Sequence, residues 1–299
     1  MTCLSRSLIL LTLLAMFANL SFGTENPYAI DRKGYVLVTI PPYQSIVEKI
    51  AGETIGVRVF LPSGVNLHSF EPTPKQVMVA SNSDAWFRLG EVFEERAVSS
   101  FKSYNPKIQI VDLRKGLDLI KSHPHEQPCE HGCTHSSGGI DLHYWLSPKQ
   151  MKIQAETIAK ELMKLYPEHS HTYHNNLQTL LKELDMLDDE IETILAPLKN
   201  RILMVSHPSF AYYCRDYNLA QLSIEFEGRD PTPKQLTKML EMAKNNEIRT
   251  IFTLPSFNNK GATIVASEIG ARLVELNPLQ ENYILMMRGI TSKIASKKQ

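Results

Sequence analysis

Short apolar runs alternate with segments of helical period along most of the chain. KGYVLVTIPP predicts a first strand ended by paired prolines, and YQSIVEKIAG a helix with Ile46 and Ile50 on one face. TIGVRVFLP predicts a second strand, PKQVMVASNS a helix begun by Pro74, DAWFRLG a third strand, and IQIVDL a fourth after a helix around 94–102. The second half restarts the alternation with ILMVS, a helix after His207, LAQLSIEF and a helix from Pro233 through Lys244. It continues with RTIFTLP, a helix around 262–271, RLVEL and a terminal helix. Strands alternating with helices of this length predict α/β architecture with a parallel sheet in each half. Beyond this shared architecture no sequence repeat is evident between the halves.

Two longer helices separate the halves. SPKQMKIQAETIAKELMKLYP is capped by Ser147 and begun by Pro148. The next carries Leu177, Leu180, Leu184, Leu187, Ile191, Ile194 and Leu198 in steps of three and four, the strongest periodic signal in the chain. It predicts a rigid connector packed along both halves. The expected organisation is a signal segment at 1–23, an α/β lobe at 24–168, a linker helix at 169–199 and a second α/β lobe at 200–299.

Composition changes this picture in three places. The 32 basic and 32 acidic side chains balance, so no broad basic field recommends nucleic acid or an anionic membrane surface as partner. MTCLSRS followed by LILLTLLAMFANL and SFG reads as a secretory signal cleaved after about Gly23, its apolar run too short for a comfortable bilayer span. Cys3 precedes that run, whereas a lipid-anchored cysteine would follow it, so an exported soluble protein is expected. Residues 121–139 break the alternation with His123, His125, His131 and His135 beside Cys129 and Cys133, a composition that makes an exposed loop. Those cysteines are close enough to pair in an oxidising compartment, or to add thiolates if reduced; Cys214, in an apolar aromatic helix, reads as a buried free thiol.

Three histidines carry the candidate chemistry. His68 follows the second strand, His143 sits just before the proline-started helix, and His207 ends the strand ILMVS. Ligands of open α/β sheets sit beyond the carboxyl ends of strands, so three imidazoles delivered there can converge on one metal ion. Zinc accepts nitrogen ligands and neutral imidazole binds it near neutral pH. Glu71 is read as capping the helix begun by Pro74 or as supporting an imidazole from behind; Trp145, Phe210 and Tyr212 read as crevice wall, and Arg229 with Asp230 as a surface pair. An exported zinc hydrolase would use the same three-histidine arrangement, but it needs a dedicated general base, and the chain has no HExxH.

GVNLHSFEPTPKQ, DLHYWLSP, SHPSFAYYCRDYNL, EGRDPTPKQL and GARLVELNPL stand in the order of the landmarks of the metal-binding receptors of bacterial zinc and manganese ABC importers, and the chain most resembles the ZnuA type. The resemblance implies two α/β lobes joined by one long helix, with Zn2+ held as cargo in the crevice between them. It implies a monomeric periplasmic receptor that serves a permease of the inner membrane, with no catalytic role. His68 and His143 would come from the first lobe, and His207 with a fourth ligand at Asn277 from the second. Asn277 replaces the expected aspartate, so the fourth position falls to water, to Asn277 or to a loop histidine. Manganese-handling relatives tend to carry glutamate at the place of His207, so the resemblance points to zinc, with manganese or iron as the alternative cargo. Ser147 replaces an aspartate of the relatives' pattern, a change of helix cap.

Overall fold

The computed structural model describes residues 34–121, 139–225 and 231–296. The signal segment, the four loop histidines with Cys129 and Cys133, and the pair Arg229 and Asp230 lie outside the described residues.

The N-terminal lobe runs β1 (Tyr35–Val38), α1 (Pro42–Ala51), β2 (Gly56–Val59), α2 (Pro74–Ala80), β3 (Ala85–Arg88), α3 (Val92–Tyr104) and β4 (Gln109–Asp112). Its sheet has the order β2-β1-β3-β4, all pairs parallel, with Leu37 opposite Arg58 on one side and Trp86 on the other. Helices α4 (Pro148–Leu165) and α5 (Ser170–Leu195) follow. The C-terminal lobe runs β5 (Ile202–Val205), α6 (Ala211–Asp216), β6 (Ala220–Ser223), α7 (Pro233–Asn245), β7 (Thr250–Thr253), α8 (Lys260–Ile269), β8 (Arg272–Glu275) and α9 (Tyr283–Ala295). Its sheet order, β6-β5-β7-β8, is again parallel and repeats the first. In both lobes the inner strands are apolar and buried while the outer strands are partly exposed, as parallel sheets covered by helices require.

One local repeat does link the lobes, against the sequence reading. TPKQ begins α2 and α7, the helices that follow the second strand of each sheet, and both form the same capping box. Thr73 with Gln76 and Thr232 with Gln235 exchange side-chain and backbone hydrogen bonds, and Pro74 and Pro233 start the helices. SPKQ at the start of α4 is a variant in which Ser147 caps the Gln150 N–H while the Gln150 side chain instead accepts from the Asp118 N–H.

The connector α5 buries Tyr173, Leu177, Leu180, Leu184, Leu187, Ile191 and Leu195 along one stripe. It ends at Leu195, four residues short of the expected limit, so Leu198 is buried in the turn beyond the helix and Leu195 takes the position expected of Ile194. The stripe packs on α4 and α1 of the first lobe and on α9 of the second. Polar groups flank it on both sides: Lys49 to Glu183 at 2.7 Å and Asn176 to the Ile50 carbonyl at 3.0 Å on one, Arg288 to Glu190 at 2.8 Å on the other. One apolar cluster therefore extends from Val36 of β1 through α5 to Ile294 of α9 and includes Leu203, Phe210 and Tyr212 of the C-terminal lobe, while a second, smaller one around Met204, Ile251 and Val265 lies within that lobe.

Candidate metal centre

The segments that face the crevice leave the carboxyl ends of strands in both lobes. His68 lies in a short 3-10 turn, Leu67–Ser69, after β2; Glu91 follows β3; and His143 adjoins a 3-10 turn, Tyr144–Leu146, after β4. His207 follows β5, Glu225 follows β6, Phe257 follows β7 and Asn277 follows β8. In each lobe the strand order reverses beside the first strand, the place where open α/β sheets leave a crevice.

The three histidines meet. Their ligand nitrogens all lie within 4.8 Å of one another, with Nε2 of His68 3.1 Å from Nε2 of His143 and 3.2 Å from Nε2 of His207. Three ligands around a tetrahedral zinc at a Zn–N distance of about 2.0–2.1 Å would have their nitrogens about 3.3 Å apart, close to this spacing.

Behind each imidazole stands a carboxylate. Nδ1 of His143 is 2.8 Å from Asp141 Oδ1, Nδ1 of His207 is 2.9 Å from Glu225 Oε2, and Nδ1 of His68 is 3.2 Å from Glu91 Oε1. A carboxylate accepting from Nδ1–H fixes the tautomer and leaves the Nε2 lone pair bare. Three Nε2 lone pairs brought this close repel each other, and a cation between them reverses that. Glu91 is itself held from behind, since buried Glu94 accepts hydrogen bonds from Thr39 and from the backbone N–H groups of Leu89, Gly90 and Glu91. Burial raises the Glu94 carboxyl to about 7 against these bonds.

Two imidazoles titrate apart. Burial presses His68 downward, but the Glu91 bond and the charges of Glu91, Asp141 and Glu225 outweigh it and hold the ring above its ordinary value. His207 is held well below that value by burial and by the neighbouring His143 and His68. The His68 side chain is 27% exposed, against 10% for His143 and 8% for His207, so the centre opens to solvent on the His68 side.

Aromatic groups close the remaining walls. Phe257 lies 4.0 Å from the His207 ring at a 30° tilt, and Trp145 lies 5.3 Å from His143. Trp145 Nε1 also donates to the Pro278 carbonyl, and the Tyr212 hydroxyl donates to the Asp141 carbonyl, so wall residues tie the lobes together. Phe210 and Tyr212 are fully buried, as expected of wall and core, and Cys214 is buried as well.

Glu71 does not do what the sequence suggested. It is exposed and pairs with Arg96 at 2.9 Å, while Thr73 supplies the cap of α2. The short Thr73 hydroxyl, one residue before Pro74, reaches the open N–H of Gln76. Asn277 is half-buried, and its Oδ1 accepts from the Leu279 N–H at 3.0 Å.

A sequence profile for ZnuA, described as zinc-uptake complex component A, periplasmic, matches residues 36–297. The chain belongs to that family. The crystal structure of a ZnuA superposes with a TM-score of 0.82 at 34% identity, covering 89% of this chain and 100% of that one. The high-affinity zinc uptake system protein ZnuA of Bacillus subtilis is 28% identical over 257 residues, 84% of this chain and 81% of its own. A Zn(II)-bound variant of AdcAII from Streptococcus pneumoniae superposes with a TM-score of 0.78 at 25% identity, covering 90% of this chain and all of that one. As a ZnuA-family chain it has the two-lobe α/β architecture of solute-binding receptors. Among the described residues, no helix is long and apolar enough to cross a membrane.

Proposed function

We propose that this chain is an exported receptor that captures zinc between its lobes and hands it to an ABC-type importer of the inner membrane. In this reading His68, His143 and His207 bind the ion through Nε2. The observation that carries it is the convergence of three imidazoles whose ligand nitrogens lie within 4.8 Å of one another, with Nε2 of His68 at zinc-like spacing from Nε2 of the other two and each ring backed by a carboxylate on Nδ1. An all-nitrogen donor set favours zinc over manganese, whose hard ion prefers carboxylate oxygen. The zinc-uptake description of the family and the Zn(II)-bound neighbour support zinc as cargo. Capture and hand-over, with no turnover, follow the family's character as receptors.

In this reading the fourth position falls to water, to Asn277 or to a loop histidine. An amide oxygen has two lone pairs, so the bond from Leu279 N–H leaves one for a metal. Negative charge comes instead from the three carboxylates behind the imidazoles, which compensate for a neutral amide where relatives carry aspartate.

His207→Ala tests the reading. Isothermal calorimetry of metal-stripped protein is expected to show one zinc per wild-type chain and an affinity at least about 100-fold weaker in the variant, beyond the range for losing an outer hydrogen-bond partner. Unchanged affinity in a folded variant would remove His207 from the site and the receptor reading with it.

A further inference from the structure

Asn66 is bonded at both ends of its amide. Oδ1 accepts from the His68 N–H at 2.9 Å and so caps the turn that presents His68, while Nδ2 donates to the Ser256 carbonyl of the other lobe at 3.2 Å. Ser256 answers across the same gap, its Oγ donating to the Gly64 carbonyl at 2.7 Å. Ser256 holds φ at 65°, in the left-handed region that L side chains rarely adopt. Its neighbour Phe257 lies against His207 and, at 6.0 Å, edge-on to His68. The backbone that carries this ring over two of the three imidazoles is thus pinned to the loop that carries one of them.

We propose that Asn66 and Ser256 form a clasp between the lobes that sets how fast zinc leaves the crevice. The proposal rests on the zinc reading above. The lobes share a continuous apolar core, so parting them wholesale would expose buried aromatic and aliphatic surface. The clasp is different. Its bonds are exposed, water replaces them readily, and breaking them relaxes a strained residue and lets Phe257 swing off the imidazoles on the side where His68 already meets solvent. Asn66 is then a positioning residue: it touches no metal, and it holds the loops that cover the ion.

Stopped-flow transfer of zinc from the loaded full-length protein to a chromophoric chelator separates release from capture. Asn66→Ser keeps an oxygen that can cap the His68 N–H but is too short to reach Ser256; Ser256→Ala removes the return bond. Each is expected to raise the dissociation rate about two- to tenfold, the range for loss of one hydrogen bond. Association rate, stoichiometry and the thermal midpoint of stripped protein should be unchanged, a split that a general folding role would not produce. Wild-type dissociation rates in both variants overturn the clasp and leave the zinc site standing. So does slower association accompanied by a lowered midpoint. Wild-type protein that binds no zinc overturns the site and the clasp together.

Discussion

Asn66-Leu67-His68 and Asp141-Leu142-His143 are one local device used for two ends. In each, a side-chain oxygen two residues ahead of the histidine accepts its backbone N–H, at 2.9 and 2.8 Å, and the intervening leucine is 3% exposed. Asp141 has charge to offer and turns it on the Nδ1 of its own histidine; Asn66 has a donor to offer and turns it on the opposite lobe. His68 therefore depends on Glu91, 23 residues away, and His207 on Glu225, 18 residues away. That explains what the sequence hid. The three histidines were legible because they stand at strand and loop ends, and Asp141 was within reach as the first residue of DLH. Nothing in local spacing marked Glu91 or Glu225, which only the fold brings to their rings. Glu225→Ala is expected to leave the protein folded and to weaken zinc binding about 10–100-fold, measured by chelator competition, because the imidazole loses the partner that orients it and raises its basicity. The same geometry sets the pH response. Zinc binds the deprotonated ring, and a ring held above 6.5 takes up its proton while pH is still falling towards that value, so affinity falls as pH drops through the His68 titration. His207, held well below 6.5, is already neutral and releases no proton. Calorimetry in buffers of different ionisation enthalpy should therefore find no more than about two protons displaced per zinc near pH 6.

At the scale of elements, helix starts were legible at their prolines and at the Ser147 cap, because that chemistry is local, but the threonine and glutamine that give α2 and α7 their cap and return bond were not: the sequence pointed to Glu71 for α2. The far end of α5 was less legible. An apolar stripe continues through Leu198 whether or not the backbone stays helical, and the chain turns after Leu195 so that β5 can begin at Ile202. Ser147 shows how an element can carry two tasks. Besides capping α4 it donates to Asp216, the last residue of α6 in the other lobe, whose side chain is only 6% exposed. The sequence reading treated the serine as a change of cap; the structure adds a hydrogen bond between lobes. Ser147→Asp keeps a competent cap and sets a second carboxylate against Asp216 in a nearly dry place. The variant should melt below wild type at pH 7 and recover part of the difference on acidification, as one carboxyl takes up a proton and the repulsion ends. Ser147→Ala removes the cap and the bond without adding charge, and should show no such recovery. Thermal scans between pH 7 and pH 5 distinguish the two.

For the whole molecule, the alternation of strands and helices pointed to two parallel sheets, and the unbroken apolar stripe of α5 to a rigid connector packed along both, rather than a hinge. Here it is part of a core. The stripe of α5 meets α1 and α4 on one side and α9 on the other, and the apolar cluster runs without a break from one sheet's neighbourhood to the other's. Interfaces between domains permit large relative motion by default, and a large apolar interface removes that freedom. Stripping zinc is accordingly expected to change the radius of gyration by no more than about 1 Å, on a value of about 19 Å for a compact chain of this length, as measured by small-angle scattering. The two lobes should also unfold together. Zinc at about 1,000 times its dissociation constant adds about 4 kcal/mol to the folded state, which for a chain of this size moves a single calorimetric transition upward by about 7 °C. If the second lobe melted on its own at an unshifted temperature while the first rose with zinc, the lobes would be independent bodies. The shared core would then not be what keeps three imidazoles, two from one lobe and one from the other, within reach of one ion.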